Sequence, residues 1–334
     1  MKIALDAFGG DYAPEATIGG ALLACQKADL SDHSELEVYL FGKKDRILKH
    51  LGKNYSDRIK IFDTPNEASN DLVDPHASGR DGNSPIRTAL RQHHKGNVDA
   101  VVSAGTTGAQ VVATLFELEK CSGITRPVIG SSFPTAKGSS FVLDVGARLV
   151  ASAHHLVQYA TMGHVYVQEV LGISNPRIGL LNVGHEKLIG KKSSIDAHKL
   201  LSESNFNFIG FVEGHDIPAG NADVVLTNGV VGNVLLKYTE GLPTLLQELL
   251  PKDCDKQIRD EIAIRFDSQA YGGEPLLGVK GVSIICHGSS TDRAISSAIM
   301  QAERISEVKL HEKIENFFNA NKIKRIVCLK KPLA

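Results

Sequence analysis

The sequence contains no tryptophan, little net charge and no long apolar run, and these absences exclude several kinds of protein. Its formal net charge is −1 and its Phe and Tyr residues are scattered, so it offers nucleic acid neither a basic surface nor a stacking platform. No apolar run approaches the ~20 residues that cross a bilayer. The opening segment MKIALDAFGGD reaches Asp6 after a short apolar run, which predicts a first strand rather than a signal peptide.

Cysteine is also sparse. The chain has 5 cysteines, an odd number, and no CxxC pair, which predicts reduced thiols in a cytoplasmic protein. Histidine shows no metal-binding spacing, because His93–His94 and His154–His155 are adjacent pairs whose side chains point in different directions on a helix. The residues therefore predict no metal site.

Short apolar segments alternate with helical stretches along nearly the whole chain, which predicts βαβ units. We expect a three-layer α/β fold, with helices on both faces of a mainly parallel, mixed sheet. The 334 residues allow one catalytic unit over 1–334, either undivided or formed by two lobes around a cleft. The predicted strands are Lys2–Leu5, Leu36–Phe41, Ile59–Phe62, Ala100–Ser103, Val128–Ser131, Phe141–Val145, Arg177–Asn182, Asn207–Phe211, Asp223–Thr227 and Val282–Cys286. The clearest predicted helices are Ala13–Ala28, Pro85–Lys95 and Ala153–Leu171.

The most informative segment is DAVVSAGTTG, from Asp99 to Gly108. An apolar strand ends there, a loop with two glycines and two threonines follows, and a helix begins. Close backbone approach, hydroxyl groups and a helix N-terminus favour an anion such as phosphate. The segment lacks the Gly-Lys-Ser/Thr ending of a Walker loop, and an ordinary strand-to-helix turn uses the same residue types. The predicted phosphate contacts are Gly105, Thr106, Thr107, Gly108, Ser289 and Ser290.

Polar residues and glycines also follow the other predicted strands. Ligands of open α/β sheets bind beyond the carboxyl ends of the strands, so this repetition predicts a site at one edge of the sheet. Structural alternatives are a helix cap for Asp6, a solvated position for Lys137 and a satisfied loop residue for His287. One of Ser289 and Ser290 is expected to cap the helix that follows. The other residues predicted at this edge are Asp6, Gly9, Gly10, Asp11, Asp144, Asn182, Glu186 and Asn228.

Two segments interrupt the alternation. Residues 63–84 are polar and rich in proline and glycine, which predicts a long functional loop, a lid or a mobile segment. Residues 234–250 read VLLKYTEGLPTLLQELL and predict an apolar helical segment. Its leucines suit the protein core or a subunit interface, and membrane contact by an amphipathic stretch is the alternative.

Nine motifs between Met1 and about Ala302 resemble the PlsX family, the bacterial phosphate acyltransferases of phospholipid synthesis. They are MKIALDAFGGDYAPE, DAVVSAGTTGA, RPVIGSSFPTAKG, LDVGA, HLVQYATMGHVY, LGISNPRIGLLNVG, NFIGFVEGHDI, GVVGNVLLK and YGGEPLLGVKGVSIICHGSS. The resemblance implies transfer of a fatty acyl group from acyl carrier protein to inorganic phosphate. It implies a homodimeric α/β protein, similar to phosphate acetyl- and butyryltransferases, that needs no metal or redox cofactor. It also implies a cytoplasmic protein at the inner face of the membrane, where a membrane acyltransferase passes the acyl group to glycerol 3-phosphate.

The chemistry that this resemblance implies assigns roles to predicted residues. The thioester carbonyl gains negative charge in the transition state, so Lys137, Asn233 and the amides near Ser289 are candidate donors. His287 is the candidate acid or base, either accepting a proton from phosphate or donating one to the leaving thiolate. Positioning of phosphate, already a competent nucleophile, supplies the rest.

The chain departs from the family pattern at several positions. The family usually has Asn at the position of Thr106, Asn-Val-Asp at Arg148–Val150, and Asp at Asn228. It also commonly has paired basic residues near Asp81–Gly82, which this chain lacks. We therefore identify a divergent member of the family.

Two other functions fit the same residues. A short-chain phosphate acyltransferase would use coenzyme A, whereas an acidic carrier protein requires a basic docking face. A non-catalytic, membrane-associated binding homologue is suggested by the substitutions in the predicted cleft. The basic residues available for a docking face are Lys187, Lys191, Lys192, Lys322, Lys324, Arg325, Lys330 and Lys331.

Overall fold

The computed structural model describes residues 1–31, 35–52, 55–64, 82–185, 190–251, 254–266 and 272–320. The strands are β1 (Lys2–Asp6), β2 (Glu37–Gly42), β3 (Ile59–Asp63), β4 (Ala100–Ser103), β5 (Val128–Thr135), β6 (Gly138–Leu143), β7 (Ile178–Leu181), β8 (Phe208–Val212), β9 (Val224–Leu226), β10 (Glu274–Leu277) and β11 (Ser283–Ile285). The helices are α1 (Glu15–Asp29), α2 (Lys44–Leu51), α3 (Pro85–His94), α4 (Thr107–Glu117), α5 (Ala153–Val170), α6 (Lys192–Ser202), α7 (Asp216–Ala219), α8 (Gly229–Leu249), α9 (Lys256–Arg265), α10 (Asp292–Glu307) and α11 (Leu310–Ala320).

The chain forms two compact units. Unit 1 contains residues 1–120 and 268–309, and unit 2 contains residues 121–267 and 310–334. The strand order in unit 1 is β3-β2-β1-β4-β11-β10. The first five of these strands are parallel and β10 is antiparallel to β11, so the carboxyl ends of β1, β4 and β11 lie side by side.

Helices cover both faces of the unit 1 sheet. Helices α1 and α10 pack together and both contact β1, while α3 packs on α4 and lies against β1 and β4. Apolar strands make this arrangement stable: all three central residues of β1, Ile3, Ala4 and Leu5, are fully buried. Pro85 at the start of α3 has no N–H to leave unsatisfied, and the Ser84 side chain accepts the N–H of Arg87 as an N-cap.

Unit 2 contains a second, mixed sheet in the order β5-β6-β9-β7-β8. Strands β6, β9, β7 and β8 are parallel, whereas β5 forms an antiparallel hairpin with β6 that turns at Ala136 and Lys137. Helix α5 lies on this sheet and packs against α6 and α11. Its Tyr166 ring stacks on Phe141 of β6 with ring centroids 4.0 Å apart, and both side chains are buried.

The predicted α/β class is confirmed, with mainly parallel strands and helices packed on the sheets. Every strand that the sequence predicted is present within one to four residues of its expected ends. The sequence missed β10, a four-residue strand that contains Pro275, since proline weakens the strand pattern. Most of the predicted lid at 63–84 lies outside the described residues. Among the helices that the structure describes, none combines the length and hydropathy needed to cross a bilayer.

Candidate active site

Three loops of unit 1 meet at the carboxyl ends of β1, β4 and β11. The backbone N–H of Asp11, in the loop after β1, donates to the carbonyl oxygen of Gly288, in the loop after β11, at 2.8 Å. A Cβ placed on Gly10, which has φ +111°, would lie 3.1 Å from both Ala104 Cβ and Gly288 oxygen. The predicted residues of these loops therefore come together, as expected for neighbouring parallel strands.

A buried chain of hydrogen bonds connects the loops after β1 and β4. Ser103 Oγ donates to Asp6 Oδ2 at 2.9 Å and accepts the N–H of Gly105 at 3.1 Å. Asp6 Oδ1 accepts the N–H of Phe8 at 3.1 Å. Burial raises the pKa of Asp6, and the hydrogen bonds from Ser103, Phe8 and Gly9 oppose this rise. Asp6 thus fixes these two loops; the structural alternative, a cap of the next helix, is wrong because Pro14 holds that N-cap position.

Gly9 allows the two loops to touch. A Cβ at this position would lie 2.7 Å from Gly105 N and 2.8 Å from both Asp6 Oδ2 and Ser103 Oγ. These distances are shorter than real Cβ contacts, so only glycine fits without displacing Gly105, the first residue of the predicted phosphate loop.

Helix α4 presents free hydrogen-bond donors beside Gly105. Thr106 is its N-cap residue with extended φ and ψ, but the Thr106 hydroxyl makes no capping bond. Within the part of the chain that the structure describes, no acceptor takes the N–H groups of Thr107 and Gly108. Thr107 is exposed. Free N–H groups, free hydroxyls and the positive end of the helix dipole together can hold an anion.

His287 stands at the same edge of unit 1 and is exposed. Its Nδ1 lies 2.7 Å from Ser289 Oγ and accepts the N–H of Ser289 at 3.2 Å. Because a backbone N–H points at Nδ1, the neutral ring carries its proton on Nε2. Among the described residues, Nε2 has no hydrogen-bond partner, so an N–H donor is available at this edge.

The residues after His287 differ from the prediction in one detail. Neither Ser289 nor Ser290 is the N-cap of α10; that position is Thr291. The prediction was wrong because the N–H of Ser290 donates to the carbonyl oxygen of His287 at 2.9 Å, which closes a turn and delays the helix. The hydroxyl of Ser290 is therefore not used to cap α10.

Unit 2 has its own polar cluster at the end of β6. Asp144 is fully buried, and its Oδ1 accepts the N–H groups of Gly146 at 2.8 Å and Ala147 at 2.7 Å. Within the described ranges, three buried atoms of the cluster lack partners: Asp144 Oδ2, Arg148 Nη1 and Tyr159 Oη. Burial raises the pKa of Asp144 to about 6, against the lowering effect of these backbone bonds and of Arg148.

Histidine and tyrosine in this cluster respond to the same environment. Burial, followed by the charge of Arg148, lowers the pKa of His155 to about 4. Burial, followed by the charge of Asp144, raises the pKa of Tyr159. Tyr159 and His155 were not predicted from the sequence. A tyrosine or a histidine in a helix gives no sign of a site until the strand end that it faces is known.

Three predicted residues lie on other loops of unit 2. Asn228 caps α8, since its Oδ1 accepts the N–H of Val231 at 3.1 Å. Asn233 lies one turn into α8, is exposed, and its Oδ1 would be 3.8 Å from a Cβ on Gly146. Asn182 donates from Nδ2 to the carbonyl oxygen of Gly184 at 3.0 Å and so shapes the loop after β7. Glu186 lies outside the described residues.

Lys137 does not lie with these residues, which corrects the expectation for its position. It belongs to the turn between β5 and β6, so it precedes β6 whereas Asp144 follows it. Six residues of strand at about 3.3 Å each separate the two by roughly 20 Å. Its Nζ is 3.5 Å from the carbonyl oxygen of Gly220. The error arose because the apolar segment Val128–Ser131 was treated as a parallel strand.

The sequence predicted one site for residues that the structure divides between two units. The unit 1 group contains Asp6, Gly9, Gly10, Asp11, Gly105, Thr106, Thr107, Gly108, His287, Ser289 and Ser290. Unit 2 contains Asp144, Asn182, Asn228 and Asn233, and it carries Lys137 at the opposite end of β6. Joint action of the two groups stays a prediction.

Comparison with known proteins decides what kind of protein this is. The family described as "Fatty acid synthesis protein" matches residues 1–313. The chain is 42% identical over 329 residues to a phosphate acyltransferase of Desulfitobacterium hafniense, covering 94% of this chain and 96% of that protein. It is 38% identical over 337 residues to a phosphate acyltransferase of Pelotomaculum thermopropionicum, covering 97% of each. The chain belongs to this family.

As a member of the phosphate acyltransferase (PlsX) family, the chain is an enzyme of lipid biosynthesis, an acyltransferase. Solved structures show the fold alone. A branched-chain phosphotransacylase from Enterococcus faecalis is 14% identical with a TM-score of 0.57, covering 93% of this chain and 99% of that one. A phosphotransacetylase from Staphylococcus aureus is 14% identical with a TM-score of 0.58, covering 91% and 94%. The predicted similarity of fold to phosphate acetyl- and butyryltransferases is thus confirmed.

Proposed function

We propose that this chain transfers a fatty acyl group from the thioester of acyl carrier protein to inorganic phosphate and so releases acyl phosphate. The observation that carries the assignment of residues is the loop cluster of unit 1, where free donors at the start of α4 and exposed His287 follow the neighbouring parallel strands β4 and β11. The phosphate acyltransferase relatives supply the reaction class.

The phosphate ion binds against the loop from Gly105 to Gly108. The N–H groups of Thr107 and Gly108 and the hydroxyls of Thr106 and Thr107 donate to its oxygens, and the helix terminus offsets its charge. Ser103 and Asp6 lie beneath this loop and hold Gly105 in place through the 3.1 Å bond to its N–H. Asp6 therefore acts as a positioning residue.

Chemistry then requires one bond to form and one to break. A phosphate oxygen bonds to the thioester carbonyl carbon, the carbon–sulfur bond breaks, and the proton of the phosphate ends on the carrier-protein thiol. The structure favours a donor role for His287, because Nδ1 already accepts the N–H of Ser289 and the proton of the neutral ring is on Nε2. Its Nε2–H stabilises the negative charge that develops on the carbonyl oxygen or the sulfur.

The partners follow from the charges of substrate and product. Acyl carrier protein is acidic, and Lys191 and Lys192, at the start of α6, are exposed. Lysines at a helix N-terminus are unfavourable for the helix itself, which supports a role in binding an anionic partner. Lys187 and the basic residues of 322–331 lie outside the described residues. The acyl phosphate product is consumed by a membrane acyltransferase that acts on glycerol 3-phosphate.

Helix α8 contributes the contact with a second subunit and with the membrane surface. Only Gly229 and Gly232 of this helix are buried, whereas Val234 is 62%, Tyr238 68% and Leu249 70% exposed. These exposures do not support the core alternative for this segment within a single chain. A row of exposed apolar side chains of this length favours a dimer edge or a bilayer surface on the cytoplasmic side.

The decisive experiment follows acyl phosphate as its hydroxamate while phosphate is titrated against long-chain acyl carrier protein. Thr107→Val should raise the phosphate requirement far more than the acyl-donor requirement, because it removes a hydroxyl at the anion loop. His287→Ala should lower turnover roughly 100-fold, the cost of one oxyanion donor, and His287→Gln should recover part of it through its amide N–H.

Matched controls are Thr88→Val, in the first turn of α3, and His94→Ala, an exposed histidine of the same unit. Both should retain turnover. An unchanged phosphate requirement in Thr107→Val would remove the loop assignment. Product formed only from coenzyme A thioesters would select the short-chain alternative, and no product from either donor would select the binding homologue.

A further inference from the structure

Two histidines and two carboxylates converge at the carboxyl ends of β7 and β8 in unit 2. His185 lies in the loop after β7, and Glu213, His215 and Asp216 lie in the turn between β8 and α7. His185 Nε2 is 3.4 Å from Glu213 Oε1 and 3.8 Å from Asp216 Oδ2. His215 Nδ1 is 3.9 Å from Glu213 Oε2, and His215 Nε2 is 3.8 Å from Asp216 Oδ1. Because β7 and β8 are parallel neighbours, the sheet itself brings these two loops together.

The His185 ring is oriented as a ligating histidine is. His185 Nδ1 lies 3.0 Å from the carbonyl oxygen of Phe211, so Nδ1–H donates there and the lone pair of Nε2 points toward the carboxylates. A backbone carbonyl on the second ring nitrogen is the usual support of a ligating histidine.

Asp216 is supported in the same way. Its Oδ2 accepts the N–H of Glu213 at 2.8 Å and its Oδ1 accepts Nδ2 of Asn221 at 2.7 Å. Its side chain is only 10% exposed. These two bonds fix the carboxylate beside the two histidines.

We propose that His185, His215 and Asp216 bind a divalent transition metal of the zinc class. One ligand atom from each of the first three residues lies within 4.8 Å of the others. A tetrahedral ion with bonds of about 2.0–2.2 Å needs its ligands roughly 3.3–3.6 Å apart, so the three side chains would move closer together around the ion. Two imidazole nitrogens favour zinc over magnesium or calcium, which prefer oxygen.

The ion would fasten the loop after β7 to the turn after β8. The sequence showed no sign of it, because His185 and His215 lie on separate loops and their spacing matches no metal motif. The expectation of no metal site rested on spacing along the chain alone. The proposal does not depend on the acyl-transfer reaction, and its test uses no activity measurement.

The test uses the full chain treated with a chelator and then titrated with Zn²⁺ in a calorimeter and with Co²⁺ in a spectrophotometer. We expect one high-affinity ion per chain, the intense visible bands of tetrahedral Co²⁺, and a rise in Tm with Zn²⁺. His185→Ala and His215→Ala should each weaken Zn²⁺ binding roughly tenfold or more and abolish the Co²⁺ bands. The matched control is His50→Ala, because His50 also faces a carboxylate but only one, Glu15, at 3.7 Å.

Circular dichroism and the metal-free Tm verify that each variant folds. The proposal is overturned if the wild type shows no Co²⁺ bands, or if both histidine variants bind Zn²⁺ as the His50→Ala control does. Equal competition by Mg²⁺ would also overturn it, since that outcome indicates a carboxylate pair without imidazole ligands.

Discussion

Substituting alanine for Gly9 tests the packing on which the unit 1 site depends. The added methyl group would lie 2.7 Å from Gly105 N and 2.8 Å from Asp6 Oδ2. Ordinary carbon contacts begin near 3.4 Å, so the loop containing Gly105 has to move by roughly 0.5–1 Å. Overpacking of this kind costs about 1–3 kcal/mol of the free energy of unfolding.

The effect on catalysis should exceed the effect on stability. The methyl group would contact all three groups of one hydrogen-bond chain, in which the Gly105 N–H donates to Ser103 Oγ and Ser103 Oγ donates to Asp6 Oδ2. A displacement near 1 Å in a positioning element can lower turnover by about 100-fold. We therefore expect Gly9→Ala to raise the phosphate requirement and to lower turnover by roughly that factor. The activity is measured under conditions in which a urea denaturation curve shows that the variant is folded.

Gly82→Ala provides the control for a loop glycine in the same unit. A Cβ at Gly82 meets only Arg91 Nη2 at 3.7 Å, which is an ordinary contact. This variant should match the wild type in acyl phosphate formation and in its urea midpoint. If Gly9→Ala behaves like Gly82→Ala in both measurements, the close approach of the two loops does not constrain the site, and the reasoning from Asp6 to Gly105 fails.

Two further predictions concern unit 2. Burial raises the pKa of Asp144 from 3.8 to about 6, so the folded protein holds one more proton than the unfolded chain between these pH values and loses about 3 kcal/mol of stability as the pH rises through them. Asp144→Asn keeps the acceptor for Gly146 and Ala147 and should remove this loss in urea titrations at pH 4 and pH 7. An unchanged dependence of stability on pH would contradict the assignment. The double variant Leu245→Gln, Leu249→Gln should be released from anionic vesicles in a flotation assay. The control variant Leu30→Gln, at an 87% exposed leucine of unit 1, should stay bound. Equal flotation of the two variants would refute membrane contact through α8.

The alternation of strands and helices was readable from the sequence because parallel strands are buried on both faces and appear as short apolar runs. Val128–Ser131 was found for this reason, but its direction was not. The chain turns back at Ala136 and Lys137, and neither turn residue is a glycine or asparagine; the glycine of this turn, Gly138 with φ +131°, follows them as the first residue of β6. This missing signal is what placed Lys137 at the wrong end of β6.

The candidate site was predictable to the extent that it depends on strand ends. Gly105–Gly108, His287 and Asp6 all follow strands, so topology alone brought them together. Ser103 was missed as a site residue because its role, bridging Asp6 and Gly105, depends on contacts between distant segments. His215 and Tyr159 were missed for the same physical reason: a turn and a helix carry them, and neither pattern marks a site.

The departures from the family pattern are consistent with a preserved scaffold. Asn228 caps α8 with the same geometry that an aspartate provides, so this exchange leaves the helix start intact. Thr106 makes no capping bond, so the exchange at this position removes nothing from α4 and leaves a hydroxyl for phosphate. Leu149 and Val150 are 78% and 74% exposed, so neither disturbs the core. The substitutions are therefore compatible with the fold, and an effect on how the enzyme binds its substrates stays a prediction.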